Sequence, residues 1–200
     1  AELQNGTNPS DGTPALSGVI ATTDTPGSAL GVYTQDGFAF VADAAAGLTV
    51  LRLNGVNAPT LVANLPLGTP ATAIAGNATT AALATKTSVS LVDVTDPLQP
   101  KLRTTVELNA EVNALSIYGD ELAVATAAGF VILDARTGSI RQTFNNFGVN
   151  LQDVLIDGNR MFGLSTTDLL GFTKVDAAWQ FVAGIRATDA AQEATPGRKL

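Results

Sequence analysis

The chain alternates short apolar runs with small-residue or Gly-containing turns, and it does so repeatedly. In GFAFVADAAAGLTVLRL (37–53) two such runs, FAFVA and LTVLRL, flank a turn ending at Gly47. The same frame returns as TTAALATKTSVSLVDV (79–94), as DELAVATAAGFVILDA (120–135) and, degraded, as NRMFGLSTTDLLGFTKV (159–175). Arg52, Asp93 and Asp134 occupy corresponding places 41 residues apart, as do Pro59 and Pro100, and Gly47 and Gly129 are separated by 82. Independent landmarks that share one spacing near 40, in units made of short strands, signal a β-propeller with one four-stranded blade per repeat.

The pattern places four strands in each unit. In the first they are Leu30–Thr34, Phe38–Ala42, Leu48–Leu53 and Thr60–Leu65; in the third they are Val112–Ile117, Leu122–Ala125, Phe130–Asp134 and Ile140–Phe144. Many of these runs are apolar at consecutive positions, as in a sheet covered on both faces by neighbouring blades. Gln35-Asp36-Gly37, Tyr118-Gly119-Asp120 and Ile156-Asp157-Gly158 read as tight connections between antiparallel strands. The expected fold is therefore all-β and propeller-type, with about four four-stranded antiparallel blades. Residues 1–13 read as a flexible lead-in, and 14–27 as the last strand of a preceding blade (Leu16–Thr22). Blades follow at 28–70, 71–109, 110–146 and 147–186, and 187–200 starts a further blade or linker. Ala187–Ala194 is the best helix candidate. TPGRKL near the C-terminus resembles TPGSAL (25–30), so the chain reads as a segment of a longer propeller, cut in mid-blade at both ends.

Composition narrows the chemistry. Eleven basic against 18 acidic side chains give a net charge of −7, with no basic cluster, which argues against nucleic acid. No apolar run approaches the roughly 18 residues of a membrane span, so no membrane insertion is expected. The chain has no Cys and no His, which removes disulfides, thiolate nucleophiles, Ser-His-Asp triads and most zinc or iron sites. No DxDxDG loop is present. TDTPG (23–27) and SDG (10–12) supply too few oxygens for calcium, leaving only a site assembled between blades. No other cofactor is expected.

Candidate side chains divide by place. Asp93 and Asp134 end third strands and recur at the blade period, which marks them as acceptors for the backbone N–H groups of the following turn. Asp36, Asp120 and Asp157 also belong to turns. Trp179 precedes the strand FVAG and is read as packing. The loops between second and third strands share one face with the blade-to-blade connections 66–71, 107–111 and 145–150. Polar side chains on such loops are where a rigid scaffold carries binding. Asp43, Lys86, Asn109, Glu111, Asn150 and Asp168 are the candidate binding residues there, with a plain solvated rim as the competing reading.

ALGVYTQDGFAFVADAAAGLTVLRLNGVNAPTLV (29–62) resembles an LVIVD-repeat blade, and SLVDVTDPLQPKL (90–102) is similar to the strand that names the repeat and its Asp-Pro turn. The likeness spans 14–184 and fades in the fourth unit, where Gly163, Gly171 and Lys174 interrupt the pattern. VILDARTGSIRQTF (131–144) is closer to a pyrroloquinoline-quinone-type blade, sharing its Leu-Asp-x-x-Thr-Gly turn but lacking the Trp at its end. The resemblance implies a propeller of a secreted or cell-surface bacterial protein and no catalytic residues. The expected function is a non-catalytic scaffold or binding module that meets a protein or glycan through its loop face. Partners include the rest of a longer parent chain, or a second copy meeting exposed blade edges. An enzyme with paired carboxylates, a quinoprotein relative and a purely architectural spacer are the alternatives.

Overall fold

A computed structural model describes residues 21–55, 57–145 and 150–186. It contains sixteen strands in four antiparallel sheets, each a simple meander. Blade 1 comprises β1 (Gly31–Gln35), β2 (Phe38–Ala42), β3 (Leu48–Asn54) and β4 (Asn57–Leu65). Blade 2 comprises β5 (Ala73–Gly76), β6 (Thr80–Ala84), β7 (Ser88–Asp93) and β8 (Lys101–Glu107). Blade 3 comprises β9 (Val112–Tyr118), β10 (Glu121–Thr126), β11 (Gly129–Asp134) and β12 (Ile140–Phe144). Blade 4 comprises β13 (Leu151–Asp157), β14 (Arg160–Ser165), β15 (Asp168–Val175) and β16 (Ala178–Arg186). No helix occurs among the described residues. The expectations for the lead-in, for the strand at 14–22 up to residue 20, and for the helix at 187–194 lie outside them.

Burial explains the sequence texture. Strands β6 and β10 are buried at every position, because a blade stands against each of their two faces. Such strands have no solvent side, so they show no alternation. Strand β14 instead alternates exposed and buried residues along its whole length, the period-2 signature of a sheet covered on one face. Outer strands are polar, as in KLRTTVE (β8) and IRQTF (β12). In every blade the pairing of third with fourth strand slips at a matching place, Val50/Leu51, Leu91/Val92, Ile132/Leu133 and Gly171/Phe172, and blade 1 slips again at Arg52/Asn54. A bulge adds local twist and bends the outer strand. Its recurrence at one register makes it part of the repeat.

The core is three joints. We call the face a blade turns to the next one its leading face, and the opposite one trailing. Phe40, Ala42, Leu48 and Val50 of blade 1 meet Ala81, Leu83 and Val92 of blade 2. Ala82, Ala84, Val89 and Leu91 meet Leu122, Val124, Val131 and Leu133. Ala123, Ala125, Phe130 and Ile132 meet Met161, Leu170 and Phe172. The inner strands pack in sequence, β1 on β5, β5 on β9 and β9 on β13, and no comparable packing returns from β13 to β1. The four blades form an arc; at one end Phe162, Leu164 and Leu169 of blade 4 are exposed, whereas at the other Ala39, Val41, Thr49 and Leu51 of blade 1 are buried.

Two fits at the joints depend on glycine. Tyr33 stacks on Phe40 at 4.8 Å and lies against Gly76, where any Cβ would enter the ring. Burial pushes the Tyr33 phenol up from its ordinary pKa. At the third joint Phe130 fills the space over Gly163, where a Cβ would again enter the ring. Gly163 stands where the other blades have Val41, Leu83 and Val124, and Phe130 stands where they have Leu48 and Val89. The fourth unit departs from the repeat here because its neighbour's side chain is larger.

Candidate binding face

The loops between second and third strands lie beside the blade-to-blade connections, tied by backbone hydrogen bonds. Ala71 N donates to Ala44 O (2.9 Å), Val112 N to Lys86 O (3.0 Å), Leu108 N to Thr87 O (2.9 Å) and Ala127 N to Glu111 O (2.9 Å). Each of these turns begins at a buried polar residue in one register: Asp43, Thr85, Thr126 and Ser165. Thr126 Oγ1 donates to Gly129 O (2.9 Å) and accepts from Ala128 N (3.1 Å). Ser165 Oγ accepts from the N–H groups of Thr167 and Asp168 (3.1 and 2.8 Å). A side-chain oxygen that satisfies turn amides from inside holds the loop without spending its outer surface.

Asp43 plays this part with a longer reach. It is fully buried and accepts from Thr25 Oγ1 (2.7 Å), Gly27 N (3.0 Å) and Thr49 Oγ1 (2.8 Å). Its carboxylate is turned inward, binding the segment before β1 to the third strand, so it presents nothing to a ligand on the rim. The other candidates are spread along the face. Lys86, Asn109 and Glu111 lie on one strip, since the 85–87 loop and the 127–128 loop both bond to the 108–112 connection. Asn150 Oδ1 accepts from Asn113 Nδ2 (2.8 Å), which also donates to Leu151 O (2.6 Å). The Asp168 carboxylate accepts from Thr167 Oγ1 (2.6 Å) within its own turn.

A cleft of about 350 Å³ opens beside that strip, between the end of β8 and strand β12. Glu107, Asn109, Thr143 and Asn145 supply its polar groups, Thr126 lines it with its hydroxyl already bonded to its own turn, and Val131 and Ile140 form its apolar wall. Asn109 holds a left-handed backbone (φ 55°), a conformation Asn tolerates better than most residues. Of the six candidates only Asn109 lines this cleft. Thr126 and Thr143 escape sequence reading because each looks like an ordinary strand position. Glu107 and Asn145 are the first residues of two connections, which is the one available signal.

The opposite end of the blades carries the charge. Asp93 accepts from Thr95 N (3.0 Å) and pairs with Arg103 (3.0 Å). The Thr95 N–H first, then the Thr95 hydroxyl and after it the Arg103 guanidinium, hold its carboxyl down at about 2. Asp134 accepts from Arg136 N (2.9 Å) and Thr137 N (2.8 Å) and pairs with Arg141. Chiefly the Thr137 N–H holds its carboxyl well below the usual carboxylate range. Both aspartates are thus turn acceptors, as their periodic recurrence implies. Glu121, 8% exposed, bridges Arg141 (3.4 Å) of its own blade and Lys174 (2.8 Å) of the next. Lys174 also stands over the Trp179 ring, 5.9 Å from its centroid, and Trp179 is buried. A second depression of about 240 Å³, lined by Asp93, Thr95, Asp96, Gln99 and Lys101, borders this network. Among the described residues no group of three or more His, Cys, Asp or Glu is placed to hold a metal, and no helix is long and apolar enough to cross a membrane.

No protein-family model and no curated protein matches the sequence. Solved structures do match in fold. The computationally designed Ika4 protein aligns with 83% of this chain and 98% of its own, at a TM-score of 0.61 and 11% identity. The computationally designed Ika8 protein aligns with 84% of this chain and 51% of its own, at 0.66 and 9% identity. A protein from Lactobacillus plantarum aligns with 79% of this chain and 55% of its own, at 0.67 and 13% identity. The chain thus spans about half the length of the last two. At these identities the likeness concerns architecture alone: the fold is all-β and propeller-type, with four four-stranded antiparallel blades among the described residues.

Proposed function

We propose that the chain is a non-catalytic propeller-type binding module, of a secreted or cell-surface protein, that holds a protein segment or a glycan on its loop face. The cleft between blades 2 and 3 carries this reading. Its amide, hydroxyl and carboxylate groups surround an apolar wall, the combination that fixes an extended ligand by hydrogen bonds over a contact surface. The backbone bonds beneath it hold the loops in place before binding, so little ordering entropy is lost on association. The distribution of carboxylates supports the non-catalytic part. Asp93 and Asp134 are held below the usual carboxylate range by turn N–H groups, whereas a general acid or base needs a pKa poised near the working pH, and Glu121 is taken up by ion pairs with Arg141 and Lys174.

The test is binding to glycan and peptide arrays by the native chain and by Thr143→Arg and Asn109→Ala variants. Ligands held in the cleft lose about tenfold or more in affinity with either variant. A ligand whose binding ignores both substitutions would place the site elsewhere and sink the reading.

A further inference from the structure

Each joint inside the molecule sets the leading face of one blade against the trailing face of the next, and the leading face of blade 4 stays exposed. Phe162, Leu164 and Leu169 hold the register of Phe40, Ala42 and Leu48 in blade 1 and of Ala123, Ala125 and Phe130 in blade 3, where the side chains are buried. Leu155 pairs with Phe162 and Ile185 with Leu169, which puts both on the same face. These five side chains are 40–59% exposed. Four of them, Leu155, Phe162, Leu164 and Leu169, line an open depression of about 240 Å³. Taking about 200 Å² for a large apolar side chain, the five leave roughly 500 Å² of apolar surface open. A continuous patch of that size marks an interaction surface.

We propose that this face is covered by the same face of a second copy of the chain, blade 4 against blade 4, in a two-fold dimer. What a second copy can offer decides this. The trailing side of blade 1 is closed, since Ala39, Val41, Thr49 and Leu51 at its centre are 0–8% exposed. The segment before β1 is bonded to that side: Thr23 Oγ1 donates to Pro59 O (2.6 Å), and Thr25 and Gly27 donate to Asp43, which also accepts from Thr49. A head-to-tail contact is therefore blocked. Among the described residues, the blade face that a second copy leaves open is its own blade 4. Residues 187–200 carry one large apolar side chain, Leu200, too little to cover the face from within the chain. Contact between like faces is isologous and closes on itself, leaving no open face to propagate.

Charge and area both allow the contact. The charged positions of the face, Asp153, Asp157 and Arg160, lie on β13 and at the adjoining end of β14, at its inner margin, so the apolar centre meets its copy without burying an ion. Two such faces bury roughly 1,000 Å² of apolar surface in total, the floor for a specific interface, before the polar margin is counted. Sheets pack in this way about 10 Å apart, through interlocking side chains. A contact of that size gives a dimer that comes apart on dilution. Each copy carries a net charge of −7, so the copies repel and added salt should tighten the dimer.

Light scattering over a concentration series tests this. The native chain should pass from the chain mass when dilute to twice that mass when concentrated. Leu164→Lys and Phe162→Glu, both at exposed positions, should each hold it at the monomer mass with an unchanged β-sheet spectrum. Val32→Lys, also exposed but on the trailing side of blade 1, should leave the dimer intact. A native chain that is still monomeric at millimolar concentration overturns the proposal. So does a dimer that survives Leu164→Lys, one that Val32→Lys breaks as well, or a mass that climbs past two chains.

Discussion

Replacing Gly163 by Ala tests whether the third joint is built as a compensating pair. A methyl at Gly163 would fall inside the Phe130 ring, meeting Cζ, Cε1 and Cε2 at well below the 3.5–4.0 Å of an ordinary carbon contact. The ring has nowhere to retreat. Phe130 is fully buried and packs edge-on to Phe172 at 5.2 Å, which in turn meets Phe144 at 5.2 Å. Gly163 has no positive φ, so alanine brings no backbone strain, and overpacking is the whole penalty. Overpacking of a tight core costs about 1–3 kcal/mol, and a ring held on all sides puts this case toward the upper end. For a chain of this size that lowers the melting temperature by roughly 5–10 °C. Phe130→Leu alone should cost about 1–2 kcal/mol through the cavity it leaves. The double variant should be more stable than the sum of the two losses predicts by about 1 kcal/mol or more, the signature of directly coupled residues. Urea unfolding followed by Trp179 fluorescence suits the measurement, since Trp179 lies in the same cluster. A Gly163→Ala loss below about 0.5 kcal/mol, or strict additivity, would refute the compensating-pair account.

Asp43→Ala should strand three donors, those of Thr25, Gly27 and Thr49, at a cost of about 2–4 kcal/mol, and hydrogen exchange at Gly27 should accelerate; an unchanged rate there would show the clamp is idle. Gly129→Ala should be far worse than Gly119→Ala. Gly129 has φ 133° and would drive its methyl into the Phe144 carbonyl, whereas Gly119 has φ 58° and open space, so only about 1–2 kcal/mol of strain applies to the latter. Equal melting temperatures for the two variants would contradict this. Asp93 binds its proton more weakly folded, at about 2, than unfolded, at about 3.9. Its stabilisation is therefore present above the unfolded value and lost as pH falls through the range down to about 2. The melting-temperature gap between native chain and Asp93→Asn should narrow over that range, and a gap that widens with acid would reverse the sign.

The period of 41 between Arg52, Asp93 and Asp134 fixes a repeating β-unit, and consecutive apolar positions in β6 and β10 announce sheets buried on both faces. Both are properties of one unit read along its own length, because strand pairing within a blade joins residues close in sequence. The turn role of Asp93 and Asp134 is legible for the same reason: each accepts from amides two or three residues away. The cleft beside β12 is legible only at Asn109, since its other polar residues sit on strands or strand ends whose neighbours come from the adjacent blade. Asp43 sits in a loop of the outward face, yet its carboxylate is drawn inward by Thr25, Gly27 and Thr49. The features that make the fourth unit look decayed belong to this second class. Gly163 answers Phe130, and Lys174 answers Glu121 across 53 residues. Sequence alone sets the strand pattern, because hydrophobic periodicity and turn chemistry are local. Only the tertiary structure decides how neighbouring blades fit, since a joint is made by two side chains whose volumes and charges must match across space, and no period records that.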